Sequence, residues 1–180
     1  NENYKPQYQP TPQQQEIYDQ ASPASNIVYC AFNKSIATET QEKMPEGVQA
    51  KTLHSVGMGF VREHFGRIKV SMDQNNFRMK ELLGYKNADR MKKDDFSLTT
   101  KVCKVVGLLK NFMLDGTKEN IAHLVNHFGV DVNGSLESIQ KFAPQLLDMA
   151  VEETNGVKYI DFDDMIYLPA KMGIIKQSYD

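Results

Sequence analysis

Ile27-Val28-Tyr29-Cys30-Ala31-Phe32-Asn33-Lys34-Ser35-Ile36-Ala37 decides the fold class. Its first part is apolar and rich in β-branched and aromatic side chains, and residues 26–32 read as a strand. The chain turns polar at Asn33 and Lys34. Ile36 and Thr40 then share a helical face, and Pro45 and Gly47 end the segment, so 33–44 reads as a helix. A second unit of the same kind follows. Val48-Gln49-Ala50 is a shorter strand candidate, and Lys51-Thr52-Leu53-His54-Ser55 is polar. Residues 52–65 read as a helix, with Val56, Phe60, Val61 and His64 at helical spacing and Gly66 to close it. Strand, helix, strand, helix predicts an α/β fold with parallel strands. Each polar stretch then lies at the C-terminal end of a strand, the edge at which open α/β sheets hold ligands. Tyr29 and Cys30 are expected in a central, buried strand, with Phe32 at its end and Asn33 capping the helix.

The chain has 180 residues, 41% hydrophobic and 24% charged, which suits one domain with room for a substantial insertion. A net charge of −2 creates no global basic field, so binding to nucleic acid has to rest on a local patch. Cys30 and Cys103 lie far apart, without metal-ligand spacing or a disulfide framework, which points to a reducing compartment. No apolar stretch approaches the ~20 residues that a spanning helix needs. The polar, Gln/Pro-rich N-terminus is unlike a signal peptide. Residues 1–12 read as an extended arm with little to bury, and 13–20 as a short helix.

Beyond Gly66 the alternation gives way to helices. Residues 75–83 form a short one closed by Gly84. In 96–114, Leu98, Val102, Val105, Leu109 and Phe112 recur at spacings of three and four, with Asp94 or Asp95 as the cap. In 117–128, Ile121, Leu124, Val125 and Phe128 share a side. Residues 135–153 form a third long helix, which Pro144 is expected to bend or break. Residues 66–155 thus read as a helical insertion between α/β portions at 13–65 and 156–180.

Phe32-Asn33-Lys34 and Thr52-Leu53-His54-Ser55 resemble motifs Ia and Ib of UvrD-like superfamily 1 DNA helicases, closest to the phage and F-box helicase branch. Tyr8-Gln9-Pro10-Thr11-Pro12-Gln13-Gln14-Gln15-Glu16-Ile17-Tyr18 resembles their glutamine motif, with Gln14 at the adenine-reading position. Asp161-Phe162-Asp163-Asp164-Met165-Ile166 resembles the segment before Walker B, and the helical insertion agrees with the family in kind. The resemblance implies a partial RecA-like parallel sheet of the P-loop NTPase type carrying a large α-helical insertion. It implies an ATP-dependent DNA helicase, with ATP and Mg2+ as cofactors of the full-length protein and single-stranded DNA as partner. A second motor domain or other replication and repair proteins would be further partners. The implied location is the cytoplasm, that of the host for a phage-encoded chain.

The DNA contacts would fall on Phe32, Asn33, Lys34, Thr52, His54 and Ser55. An aromatic ring at a strand end can stack on a base, worth about 1–3 kcal/mol. Lys34 adds charge at a helix N-terminus, which itself suits phosphate. Hydroxyls and an imidazole at the second junction can grip a backbone without reading sequence. Each motif also has a plainer account: Phe32 in a core, and Asn33, Thr52 or Ser55 as helix caps.

Two parts of the family's ATP site are not in the sequence. A phosphate loop should follow the glutamine motif within a strand–loop–helix unit of ~30 residues. Instead 19–25 runs almost directly into the next strand, and no G-x-x-x-x-G-K-[ST] occurs. The Asp-Glu of Walker B would begin where the chain stops at Tyr179-Asp180. Either the parent protein has a phosphate loop between Asp19 and Ser25 that this sequence omits, with Walker B following beyond Asp180, or the loop has been lost. The first account is preferred, because a crossover needs a dozen or more residues and 19–25 cannot replace it. On the second account the chain is an ATPase-inactive nucleic-acid-binding or helicase-interfering module. In either case no catalytic residue is assigned, and no cofactor or metal is expected on the chain as it stands.

Other candidates read as structural. Asp161 with Asp164 three residues on resembles a capping box more than a metal site. His123 and His127 lie one helical turn apart but lack a third ligand. Gly57-Met58-Gly59 lacks the third glycine of a dinucleotide loop. The basic stretch Lys86, Arg90, Lys92, Lys93, Lys101, Lys104 and Lys110 reads as a solvated face, with contact to duplex backbone as the alternative.

Overall fold

The computed structural model describes residues 11–20, 26–44, 47–152 and 156–176, leaving aside the side chains of residues 14, 17, 18 and 20. The chain divides into two compact units, residues 1–56 with 176–180, and residues 57–175.

The first unit is built on a strand–helix–strand crossover. β1 (Ile27–Ala31) leads through α2 (Lys34–Gln41) to β2 (Val48–Thr52), after α1 (Pro12–Gln20). β1 and β2 are parallel, in a register that runs from Ile27 opposite Val48 to Ala31 opposite Thr52. The sequence pattern anticipates both strands and both helices within a few residues. It errs on burial. Among the described residues β1 has β2 as its only strand neighbour; most of it is half-buried and Cys30 is exposed. The apolar run Ile27–Tyr29 looks like a central strand because hydrophobicity reports what a strand can bury, not how many neighbours it has. The buried side chains here are small: Ala31, Ala37 and Val48. Gln41 adds a polar closure. Its Nε2 donates to the Val48 carbonyl (3.1 Å) and its Oε1 accepts from the Ala50 N–H (2.7 Å), so one amide stands in for a strand along β2.

The second unit holds the main core. α5 (Lys93–Asn111) contacts α4 (Gln74–Leu82), α6 (Lys118–His127), α7 (Leu136–Val151) and α8 (Asp164–Met172). Val102, Val105, Val106 and Leu109 of α5 are fully buried, against Ile121, Ile139, Leu146 and Leu168 from its neighbours. α7 continues through Pro144 rather than stopping there. Asp94 and Asp95 do not cap α5. The helix starts one residue before them, and they fill its first turn, where carboxylates suit the helix dipole. Phe112 and Phe128 fall just past their helices and meet at the surface, ring centroids 5.3 Å apart.

The three-residue strands β3 (Ile68–Val70) and β4 (Lys158–Ile160) pair in parallel. Residues 156–175 therefore sit in the same unit as the helices, not with 13–65 as the sequence pattern divides them. α3 (Leu53–Phe65) begins in the first unit and ends in the second. Gly57 in α3 has a packing role. A Cβ there would lie 1.9 Å from the Met165 carbonyl oxygen of α8.

Candidate nucleic-acid interface

The register of β1 and β2 sets this site. Ala31 lies opposite Thr52, so the chain leaves both strands at one edge, with Phe32 after the first and Leu53 after the second. Both motifs are thereby brought to the C-terminal edge of one parallel pair. Phe32 is 94% exposed, although Ala31 before it is buried. In this structure the ring at the strand end is uncovered rather than packed into a core.

Asn33 is extended (φ −140°, ψ 170°), and its Oδ1 accepts from the Ile36 N–H at 2.9 Å, capping α2. Asn33 as a whole is exposed. Lys34 opens α2 and is exposed. At the second junction the Thr52 Oγ1 accepts from the Ser55 N–H (3.2 Å), and the Ser55 hydroxyl donates to the Thr52 carbonyl (2.8 Å). Thr52 and Ser55 thus also hold the start of α3, as the plainer account of the motif expects. His54 is half-buried.

Part of this constellation shares one groove of about 660 Å3, lined by Lys34, Gln41, Glu42, Lys51, Thr52 and Ser55 among others. Lys51 was missed as a groove residue. Its signal was the strand alternation of β2, which turns Gln49 and Lys51 outward together. Phe32, Asn33 and His54 lie at the same edge outside that lining. Gln14 belongs to α1, but its side chain is outside the described residues.

The β1–α2 junction does not fit the phosphates of a nucleoside triphosphate. Phe32 and Asn33 span it without a glycine, and Asn33 is committed to the helix cap. Among the described residues no group of three or more His, Cys, Asp or Glu could hold a metal ion. No ATP chemistry is assigned to these residues.

The second unit contains a different cluster. The Asp161 N–H donates to Asp164 Oδ2 (3.0 Å) and the Asp164 N–H to Asp161 Oδ1 (2.8 Å), the reciprocal pattern of a capping box. Lys110, fully buried, reaches Asp161 Oδ2 at 2.6 Å and Asp164 Oδ1 at 2.8 Å. The second contact is ionic without hydrogen-bond alignment, since Asp164 Oδ1 has no hydrogen-bond partner. Arg78 Nη1 lies 3.8 Å from Asp164 Oδ2 and donates to Asn75 Oδ1, and its Nη2 donates to the Tyr159 carbonyl. Asn75 closes the ring by donating to Asp161 Oδ2 (2.8 Å). Burial opposes ionisation of Asp161, but the Lys110 charge and hydrogen bond outweigh it and hold the carboxyl below its ordinary value. Burial pushes the Asp164 carboxyl the other way, above its ordinary value, despite the same lysine, so the two carboxyls share one buried cation unequally.

Lys110 corrects the view of Lys86–Lys110 as one solvated face. Lys101 departs from it too, donating to the Val132 carbonyl at 3.1 Å. His123 and His127 stack with centroids 5.8 Å apart. Among the described residues no helix is long and apolar enough to cross a membrane. Comparison with protein-family models, with curated proteins and with solved structures finds no match to this chain.

Proposed function

We propose that the chain is the DNA-gripping part of a first motor domain of the UvrD helicase kind, holding single-stranded DNA across the C-terminal edge of β1 and β2. The observation that carries this is Phe32: an almost wholly exposed ring at a strand end, on the same edge as the Thr52–Ser55 junction. A base stacks on the ring. Lys34 and the N-terminus of α2 take the neighbouring phosphate. Thr52, His54 and Ser55 line the path of the backbone, so binding is sequence-tolerant. On this reading β1 and β2 are neighbours in a larger RecA-like parallel sheet, and none of the 180 residues is assigned a part in ATP turnover. The absence of a phosphate-loop motif from all 180 residues favours a second reading for the chain by itself, a nucleic-acid-binding module without ATPase activity.

The test is titration of a labelled oligothymidylate over a salt series. Phe32→Ala is expected to lose about 1–3 kcal/mol of affinity. Lys34→Ala is expected to lower the slope of log affinity on log salt by about 0.7. Two variants that bind like the parent at every salt concentration refute the assignment.

A further inference from the structure

The second unit carries a groove of about 720 Å3 between α4, the segment 83–92 and the start of α5. Phe77 and Phe96 line it and are 40% and 58% exposed. Lys80, Arg90 and Lys93 supply positive charge against one carboxylate, Asp89.

The wall of this groove is fixed by its own hydrogen bonds. The Tyr85 hydroxyl donates to Asp95 Oδ2 (2.5 Å) and accepts from the Lys92 N–H (3.2 Å). Lys80 Nζ donates to the Asn87 carbonyl (2.8 Å), and Asp89 Oδ2 accepts from the Lys86 N–H (2.7 Å). Asp89 and Asp95 are thereby engaged locally. Among the described residues no carboxylate pairs with Arg90 or Lys93. The result is a preformed cleft of ligand-binding size that offers ring faces beside Arg90 and Lys93, which have no ion-pair partner among the described residues.

We propose that this groove binds a short run of single-stranded nucleic acid, with bases stacked on Phe96 and Phe77 and phosphates against Arg90 and Lys93. The combination selects the ligand. Duplex keeps its base faces in the stack and cannot cover the rings. An acidic peptide engages the cations and leaves both rings in water. A single strand satisfies both with one repeating unit, and stacking on phenyl and guanidinium faces is the chemistry by which strands are held without sequence preference. The site uses no residue of the β1–β2 edge, so the two assignments stand or fall separately.

The experiment uses the full chain and an oligothymidylate carrying a photoreactive thiothymidine, read by anisotropy and by mapping the cross-linked peptides. Cross-links within 76–96 are expected. Arg90→Gln with Lys93→Gln should lower the slope of log affinity on log salt by about 1.4, as two lost phosphate contacts on a single strand require. Phe96→Ala should weaken binding roughly five- to a hundredfold. All these side chains are exposed, and melting curves like the parent's establish that the variants are folded. Parent-like binding by the variants with no cross-link in 76–96 overturns the proposal, and cross-links confined to 27–55 do so while leaving the sheet-edge site standing. Cross-links confined to 76–96 support the groove and refute the sheet edge. Equal competition by free thymidine monophosphate overturns the strand in favour of a mononucleotide. Displacement by polyglutamate, with no effect of Phe96→Ala, overturns it in favour of an acidic peptide.

Discussion

Gly57 and Gly59 sit on the same helix two residues apart, and the structure assigns alanine opposite effects at the two positions. In a helix interior, Gly→Ala stabilises by roughly 0.5–1 kcal/mol, because alanine loses less backbone entropy. Gly59 has nothing within 4 Å of a built Cβ, so Gly59→Ala should gain that amount in full. At Gly57 the same methyl would lie 1.9 Å from the Met165 carbonyl oxygen and 2.9 Å from its carbon. A carbon and an oxygen come no closer than about 3.3 Å, so α3 and α8 would have to separate by over an ångström. The obstruction is main chain and cannot rotate away. Fully buried Val61 and Leu168 lie on these same two helices and would share the strain. Overpacking a tight core costs about 1–3 kcal/mol, and a main-chain clash belongs at the upper end. After the helical gain is subtracted, Gly57→Ala should destabilise by about 1–2 kcal/mol, some 2–3 kcal/mol apart from Gly59→Ala. Urea unfolding followed by far-ultraviolet circular dichroism measures both, with unchanged m-values as the check that only stability moved. A Gly57→Ala variant as stable as Gly59→Ala would show that α3 and α8 are not in contact there.

Lys110→Met should cost about 3–5 kcal/mol, because it leaves Asp161 and Asp164 buried together without their shared cation; a loss under about 1 kcal/mol in urea unfolding would show that the cluster is not a clamp. Asp161 has its folded-state pKa held below the ordinary 3.8, so its stabilising contribution is complete above that value and disappears as pH falls through the lower folded value. Acid titration of the Lys110→Met protein should lack that part of the loss. Cys103 is pushed up to about 11 by burial while Cys30 is exposed, so iodoacetamide at neutral pH should alkylate Cys30 well before Cys103, as peptide mass spectrometry would read. The chain alone should show no magnesium-dependent ATP hydrolysis, since it lacks the phosphate-loop lysine and backbone cradle; measurable turnover would contradict that.

The sequence made the crossover legible because β1, α2 and β2 follow one another within a few residues, and each carries its own periodicity. The amphipathic helices were legible for the same reason. β3 and β4 were not. Three residues are too few to establish alternation, and each becomes a strand only by meeting the other across the chain. Lys110 escaped because a lysine is expected in water. Its position held the clue: Val102, Val106 and Lys110 recur at spacings of four along the buried stripe of α5, opposite the one turn rich in aspartate. At the sheet edge, residue types told where the polar groups would gather. Register alone told that Phe32 stays uncovered, and no side-chain pattern encodes register across a crossover.

The pairing of β3 with β4 also sets an order of events. Lys69 and Tyr159, neighbours across that pair, are separated by 90 positions. Closing a loop of that length in an unfolded chain costs roughly 4 kcal/mol before any contact forms, and two three-residue strands cannot repay that alone. The helices α4–α7 lie inside the loop and pack on one another, α5 against α7 most of all. Their collapse draws the two ends together, and the strands then join over a distance already shortened. The parallel pair therefore acts as a late-closing clasp. The buried ring of Lys110, Asp161, Asp164 and Arg78, which needs α4, α5, β4 and α8 all in place, completes only when that clasp shuts.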